Sequence, residues 1–506
     1  MKLFSKSKFQ NITDYIYGLI SIPNIYCKFI DSYYVQRLRN IRQQPTAQYV
    51  FPSVNHSCFE HSLGTYYLSN KFITDLKNRQ NDLDINQTLI NTISLCGLFN
   101  NLGTVPYSKS FKSFYKEKYN IDYDSKQKAY EIILKLIESK GIDPECLTNK
   151  NDNENFYLDV VKNIFTKSNN NRKYYEKIVF NPKTEIDCES FDNINRDTYK
   201  FGDKPSFDHN ILMNSAHIIN NDICYNNKDS FSIYNYYNVK YIMTTKYYNH
   251  RVSTSVELMI KDVFNLIDQV NPLIDIINNN DRYIYLFDSF LQDIKHSEKD
   301  NPNIKKAKLI LNNIDKRNLY TSIGEYYLSN DGLDNNNNSQ FDNFSANTLI
   351  ENRNKLDVEL IPDDIRITKD INCLGLGNND PFNNILFYDN EFNTIKLKAE
   401  DISKLFPTRF KSQIIRVFLT TKDKNKIKSA QNALINYKNK YKGYAHLHKS
   451  EQKINLDKDF INKFEIGETS FKINKDNFNK GSILGKKREI EKGYNIFHDQ
   501  LFKKKK

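Results

Sequence analysis

The side chains with the most chemistry in this chain sit in three short segments: 31-DSYYVQRLRNIRQQ-44, 49-YVFPSVNHSCFEHSLGTYYL-68 and 97-GLFNNLGTVPYSKSF-111. The second carries two histidines, His56 and His61. A neutral imidazole is a common transition-metal ligand and a proton carrier near neutrality. A lone histidine is as readily a satisfied core or helix-end residue. The third segment sets Asn100 beside Asn101. An amide oxygen is neutral and lacks the charge that helps hold a transition metal. The first segment offers a carboxylate, an amide and a guanidinium in Asp31, Gln36 and Arg39. An arginine there can grip a phosphate, or the Gln and Arg can simply stabilise a helix.

These segments need rigid elements to hold them. Residues 1 to about 50 alternate short helical and extended stretches, and from about 60 to 320 the pattern is mostly helical. In 86-NQTLINTISLCGLFNNLG-103 the residues Leu89, Ile90, Ile93, Cys96 and Phe99 fall on one helical stripe. Asn86 is placed to cap that helix, and Gly103 with Pro106 to end it. Further helices are expected over 252–267 and 304–314. The stretch 331-DGLDNNNNSQFDNFSANT-348 is polar and Asn-rich and reads as a loop or linker. After it, 363–369, 385–389, 394–399 and 413–421 alternate like strands, and 424–438 reads as a helix. The expected architecture is mainly α, with a helical body over 1–330, a linker over 331–354, a small α+β C-terminal lobe over 355–445 and a basic tail over 446–506.

Composition narrows the class. With 506 residues and 39% hydrophobic content the chain can bury a large core. No stretch approaches the ~18 consecutive apolar residues of a membrane span, and the N-terminus lacks a signal-peptide pattern. The seven cysteines form no CxxC pair, which argues against a zinc finger or a disulfide scaffold. An intracellular setting, cytoplasmic or nuclear and not secreted, is expected, with no membrane partner. The net charge of +12 favours an anionic ligand such as a nucleotide or single-stranded nucleic acid. Abundant Asn, Lys, Ile and Tyr also fit codon drift in an A/T-rich genome.

Taken in order, the segments resemble the family of HD-domain dNTP triphosphohydrolases. Its members carry FQRLR, then VFPGxxHxRFEHSLG, then GLxHDLGHGPFSH. The likeness continues in 313-NIDKRNLYTSIGE-325 and 403-SKLFPTRFKSQIIRVF-418 and spans roughly residues 9 to 440. The resemblance implies an HD-domain helical body, a dNTP substrate and homo-oligomers. It also implies a metal (Fe, Mn or Mg) held by a His, a His-Asp pair and a distant Asp. Only His61 matches; the pair falls on Asn100 and Asn101, and the distant Asp on Asn195. Asp197, two residues on, could serve only in a shifted register. The family's helper groups fall on Cys58, Thr104, Lys109 and Ser125. No metal cofactor is therefore expected unless the active reading holds.

The family's guanine-nucleotide site fares better. Its Asp, Gln and Arg fall on Asp31, Gln36 and Arg39, and an Asp can accept from the N1 and N2 hydrogens of guanine. GTP or dGTP is the implied ligand. Gln43, Lys240, Asp203 and Tyr248 match pocket positions, with Tyr199 beside them. Lys228, His250, Arg251 and Arg416 match part of a second phosphate-binding surface. Gln10, Thr13, His217, Asn226 and Thr420 replace other family contacts. The expected function is a catalytically inactive dNTPase-like protein retained for guanine-nucleotide binding, oligomeric assembly or partner binding. An active metal-dependent triphosphohydrolase and a single-stranded nucleic-acid binder are the alternatives.

Overall fold

A computed structural model describes residues 9–140, 156–166, 172–204, 206–328, 341–375, 377, 379–407, 409–441 and 444–447. These lie in one compact unit spanning Met1–Ser450; of the expected basic tail, residues 446 and 447 are described and 448–506 lie outside the described residues. The chain is mainly α-helical, as expected. It opens with an antiparallel hairpin of β1 (Phe9–Asp14) and β2 (Gly18–Pro23), followed by α1 (Asn24–Ile30). The central helices are α2 (Cys58–Arg79), α3 (Gln87–Phe99), α4 (Ser108–Tyr119), α5 (Ser125–Lys140) and α6 (Cys188–Phe201). A short hairpin follows, β3 (Ala216–Ile219) with β4 (Asp222–Asn226). Then come α7 (Ser230–Ile242), a π-helical stretch over Met243–Tyr248, α8 (Arg251–Asp268) and α9 (Pro302–Asp315).

Local sequence signals account for the helices that matter. Ser57 and Glu60 form a reciprocal capping box at the start of α2. Asn86 caps α3 through Leu89 N at 2.8 Å, and α3 ends at Phe99 with Asn100 as its C-cap. The end expected at Gly103 therefore arrives a turn sooner. Asp187 caps α6 through Ser190 N at 2.8 Å. One continuous apolar core joins these helices, including Phe72, Ile93, Phe111, Phe191 and Phe264, all 0–1% exposed.

The C-terminal lobe departs from the expected boundaries. Its sheet runs β10-β5-β9-β6, all antiparallel, from β5 (Thr321–Tyr327), β6 (Ile365–Cys373), β9 (Lys411–Leu419) and β10 (Tyr444–Leu447). With α10 (Lys424–Tyr441) it forms a second core. β5 lies before residue 330, within the stretch assigned to the helical body. It belongs to the lobe because it pairs with β9. Part of the expected linker is ordered here too: Phe341, Phe344 and Leu349 pack in this core. Conversely, β7 (Leu386–Tyr388) and β8 (Thr394–Ile395) leave the lobe. β7 runs parallel to β4, with Tyr225 opposite Phe387, and so extends the hairpin of the helical body.

Candidate functional site

The first turn of α2, the C-terminus of α3 and the N-termini of α5 and α6 converge on one polar cluster. His61, in the first turn of α2, is fully buried. Its Nδ1 lies 2.6 Å from Asp192 Oδ2 on α6. Asp192 in turn accepts from Arg196 Nε at 3.0 Å and Nη2 at 2.9 Å, and Arg196 Nη1 donates to Asp14 Oδ2 at 2.9 Å. Burial pushes the Asp192 carboxyl up, but the Arg196 guanidinium and His61 override it and hold it far below the usual carboxylate range. An ionised acceptor at Nδ1 demands the Nδ1–H form of His61, which leaves Nε2 with an outward lone pair in the neutral ring. That Nε2 is buried and has no hydrogen-bond partner. The pairing is tight enough to require glycine next door. A Cβ on Gly64 would lie 1.8 Å from Asp192 Oδ1.

Asn100 and Asn101 end α3 beside this imidazole, 3% and 7% exposed. Asn101 Nδ2 donates to Ser62 Oγ at 3.3 Å. The acid that reaches Asn100 is Glu189, in the first turn of α6. Its carboxylate lies against the Asn100 amide and within the field of His61. Between them stands Lys126, the second residue of α5. Its Nζ donates to Asn100 Oδ1 and to Glu189 Oε2, the latter at 2.8 Å. Burial pushes the Glu189 carboxyl up, yet the Lys126 ammonium wins and holds it net below its ordinary value. Lys126 also lies 4.8 Å from the Phe180 ring centroid. The close approach of α5 rests on Gly103, where a Cβ would come 2.0 Å from the Ser125 carbonyl oxygen.

Asn195 is not part of this group. Its amide nitrogen pairs with His209 Nδ1 at 2.9 Å, on another face of α6. The position expected for the distant acid, Asn195, therefore lies apart from His61, and Glu189 and Lys126, which the sequence did not single out, stand at the cluster instead. The readable signal was helical phase: Glu189, Asp192 and Arg196 share one stripe of α6, and Asn195 does not. Asp197 is fully buried elsewhere. It accepts from Tyr248 Oη at 2.6 Å and Gln44 Nε2 at 2.9 Å and faces His56 Nε2 at 2.7 Å. It does not join His61.

The other expected residues divide into two groups. Gln36 bonds the Ile30 carbonyl at 2.8 Å and accepts from Arg39 Nε at 2.7 Å. The exposed Arg39 guanidinium lies 3.7 Å over the Phe59 ring. Asp31 is the exposed C-cap of α1 just upstream, so these three share one surface region. Gln43 bridges Asn193 and the Cys58 thiol at 2.8 and 3.1 Å. Lys240 is tied to Glu185. Lys228 is exposed in a short helical turn, and Arg251 begins α8. Arg416 departs from its expected role as a phosphate contact. It is 5% exposed in β9 and held by Glu325 at 2.7 Å and Asp370 at 2.5 Å. A guanidinium closed on both sides by carboxylates is not offered to a phosphate. Lys109 also points away from the cluster, to Asn249 at 3.0 Å and Glu257 at 2.9 Å. It lines a cleft of about 830 Å³ between α4, α8 and β6.

The segments that carry the motifs lie within long stretches of sequence similarity to known proteins. The chain is 28% identical over 423 residues to the deoxynucleoside triphosphate triphosphohydrolase SAMHD1 homolog of Dictyostelium discoideum, covering 83% of this chain and 79% of that protein. It is 26% identical to the deoxynucleoside triphosphate triphosphohydrolase SAMHD1 of Gallus gallus, covering 81% and 72%. A putative HD domain-containing protein, L394, of Acanthamoeba polyphaga mimivirus is 28% identical, covering 74% and 84%. This chain is a divergent relative of the HD-domain dNTP triphosphohydrolases. No family model matches it.

The HD-domain relationship raises the question of a metal, and the residues present do not fit one. His61 supplies one free ring nitrogen, Asn100 and Asn101 supply neutral amides, and Glu189 is already bonded to an ammonium. Among the described residues no group of three or more His, Cys, Asp or Glu could hold a metal ion. Divalent transition metals need deprotonated, charged or imidazole ligands in number.

The acid at the head of α6 gives a pH prediction. Burial, with the nearby Glu189 charge, pushes the Asp187 carboxyl up to about 7, against the backbone N–H groups it accepts. The folded value exceeds the unfolded one, near ~3.9, so the native state holds this proton more tightly. Its stabilising contribution is whole below the unfolded pKa and is lost as pH rises through about 7. Urea midpoints of the native chain are expected to fall as pH rises from roughly 4 to 7 and to level off above that, and Asp187→Asn is expected to flatten that slope. An unchanged slope in the variant would refute the assignment.

Proposed function

We propose that this chain is an HD-domain dNTPase-like protein that has lost metal-dependent hydrolysis and is retained for guanine-nucleotide binding, oligomeric assembly or partner binding. The observation that carries the reading is the pair of amides at Asn100 and Asn101, set beside His61 with the Lys126 ammonium bonded between Asn100 and Glu189. Water activation by a metal needs a bound, charged cation with an open coordination position, and this donor set offers no shell for one. The surface of Asp31, Gln36 and Arg39 supports the binding half. Its carboxylate is exposed, its amide is oriented by Ile30 and Arg39, and its guanidinium is stacked on Phe59. The names of the relatives supply the nucleotide class.

The test uses purified full chain with added Mn or Fe and dGTP. The expected result is no triphosphate release and no stoichiometric metal. A GTP titration should detect binding that Asp31→Ala and Arg39→Ala each weaken roughly tenfold or more, the size of a lost charged hydrogen bond. Turnover with tightly bound metal would sink the reading. A GTP affinity indifferent to both substitutions would remove the nucleotide half of it.

A further inference from the structure

We propose that the Lys126 ammonium is the resident cation of this site, standing where a divalent metal ion would bind and keeping one out. The inference deepens the reading of a hydrolysis-free HD domain and rests on it.

Four observations meet at one point. Lys126 Nζ is bonded to Glu189 Oε2 at 2.8 Å and to Asn100 Oδ1. His61 Nε2 is buried and unpartnered, and the His61 ring acts on the Glu189 carboxylate. Its other nitrogen is fixed by Asp192 at 2.6 Å, so the ring cannot turn away to find a partner. Such an orienting carboxylate is what metal-bound imidazoles commonly use. The site thus keeps a carboxylate and an amide oxygen on a single positive charge, with an oriented imidazole acting on the same carboxylate. That charge is covalently attached to α5, whose first turn is pressed onto Gly103.

An ammonium is a monovalent point charge with three donors and no coordination preference. It satisfies acceptors such as Glu189 Oε2 and Asn100 Oδ1, but it cannot share them with a second cation at contact distance. Like charges a few ångströms apart in a half-buried site repel strongly. Lys126 and Glu189 are only 19% and 20% exposed, so water screens this little. The exchange also accounts for the amides. With a monovalent cation in residence and Glu189 already paired to it, the neutral Asn100 and Asn101 leave the cluster balanced where one further carboxylate would not.

The prediction is that metal binding depends on the absence of Lys126, and that restoring ligands alone is not enough. Co²⁺ serves as the probe, because its visible absorption reports coordination without any turnover. Four proteins are titrated: the native chain, Lys126→Ala, Asn100→His/Asn101→Asp, and the triple variant that combines all three substitutions. The native chain and the double variant are expected to stay colourless. The triple variant should bind Co²⁺ at least ~100-fold more tightly than the double variant. Lys126→Ala, with His61, Glu189 and the amides alone, should gain at least ~10-fold over the native chain. Co²⁺ bound by the double variant as tightly as by the triple variant would overturn the proposal. So would a folded triple variant, checked by circular dichroism, that binds none. If the triple variant does not fold, the comparison of Lys126→Ala with the native chain decides. Triphosphate release by the native chain would instead overturn the parent reading, so the two failures stay distinct.

Discussion

Arg196→Leu is expected to destabilise the chain by roughly 3–5 kcal/mol, the range for removing one partner of a buried ion pair. Arg196 is 1% exposed and gives three hydrogen bonds to two acids, Asp192 and Asp14. Asp192 is itself fully buried and holds His61 by Nδ1. Without the guanidinium, two buried carboxylates remain, Asp192 with only the His61 imidazole and Asp14 with only backbone N–H groups. The Asp192 carboxyl, now far below its ordinary range, would rise. Its contribution to stability is present above the unfolded pKa and lost as pH falls through the folded one, so the native chain should be robust to mild acid and the variant should not. Urea denaturation at pH 5 and pH 7 measures both effects. A loss below about 1 kcal/mol would show that the pair is not structural. Arg196→Lys, which keeps the charge and loses the fork, should recover only part of the loss.

Gly103→Ala is the second large effect. Its Cβ would meet the Ser125 carbonyl oxygen at 2.0 Å and the Ala129 nitrogen at 2.7 Å. Both are backbone atoms of a helix and cannot rotate aside as a side chain could. The N-terminus of α5 must move, and Lys126 moves with it. Overpacking of this kind costs about 1–3 kcal/mol, with the upper end expected here because Glu189 loses its ammonium as well. Thermal unfolding of the variant should shift down clearly. The Phe180 ring and the Lys126 Nζ, now 4.8 Å apart, give an NMR contact that should weaken. A variant with an unchanged melting temperature would show that α5 tolerates the displacement.

The helices of the site were legible because their signals are local. Ser57 with Glu60 and Asn86 before an apolar stripe are caps that a reader can find without the fold. Strands β6, β7 and β9 also showed in the alternation of their residues. The boundaries of the lobe were not legible. β5 joins the sheet through pairing with a strand about ninety residues on, and β7 joins the other sheet through a parallel partner in the body. Neither pairing leaves a local mark. In the site, His61, Asn100 and Asn101 fell where the motifs put them. Lys126 was invisible because it sits in a polar run at a helix start, where a lysine is ordinary. Glu189 carries no motif of its own, and the resemblance points instead to Asn195, whose amide the fold commits to His209. The resemblance puts Arg416 on a phosphate-binding surface, and nothing nearby in sequence marks the two acids that close it off, Glu325 and Asp370 on the neighbouring strands.

The π-helical stretch over Met243–Tyr248 makes the length of this segment matter more than its composition. Its wider winding is seen in Asn249 N, which reaches back five residues to the Thr244 carbonyl at 3.0 Å. That winding absorbs one residue more than an α-helix would over the same rise. It sets adjacent tyrosines on different carboxylates: Tyr247 on Asp203 at 2.7 Å and Tyr248 on Asp197 at 2.6 Å. A deletion of one residue would let the stretch relax to α-helix and swing Tyr248 by about 100° away from Asp197. Point changes leave that phase alone. The segment is therefore a place where the chain can drift in sequence but not in length.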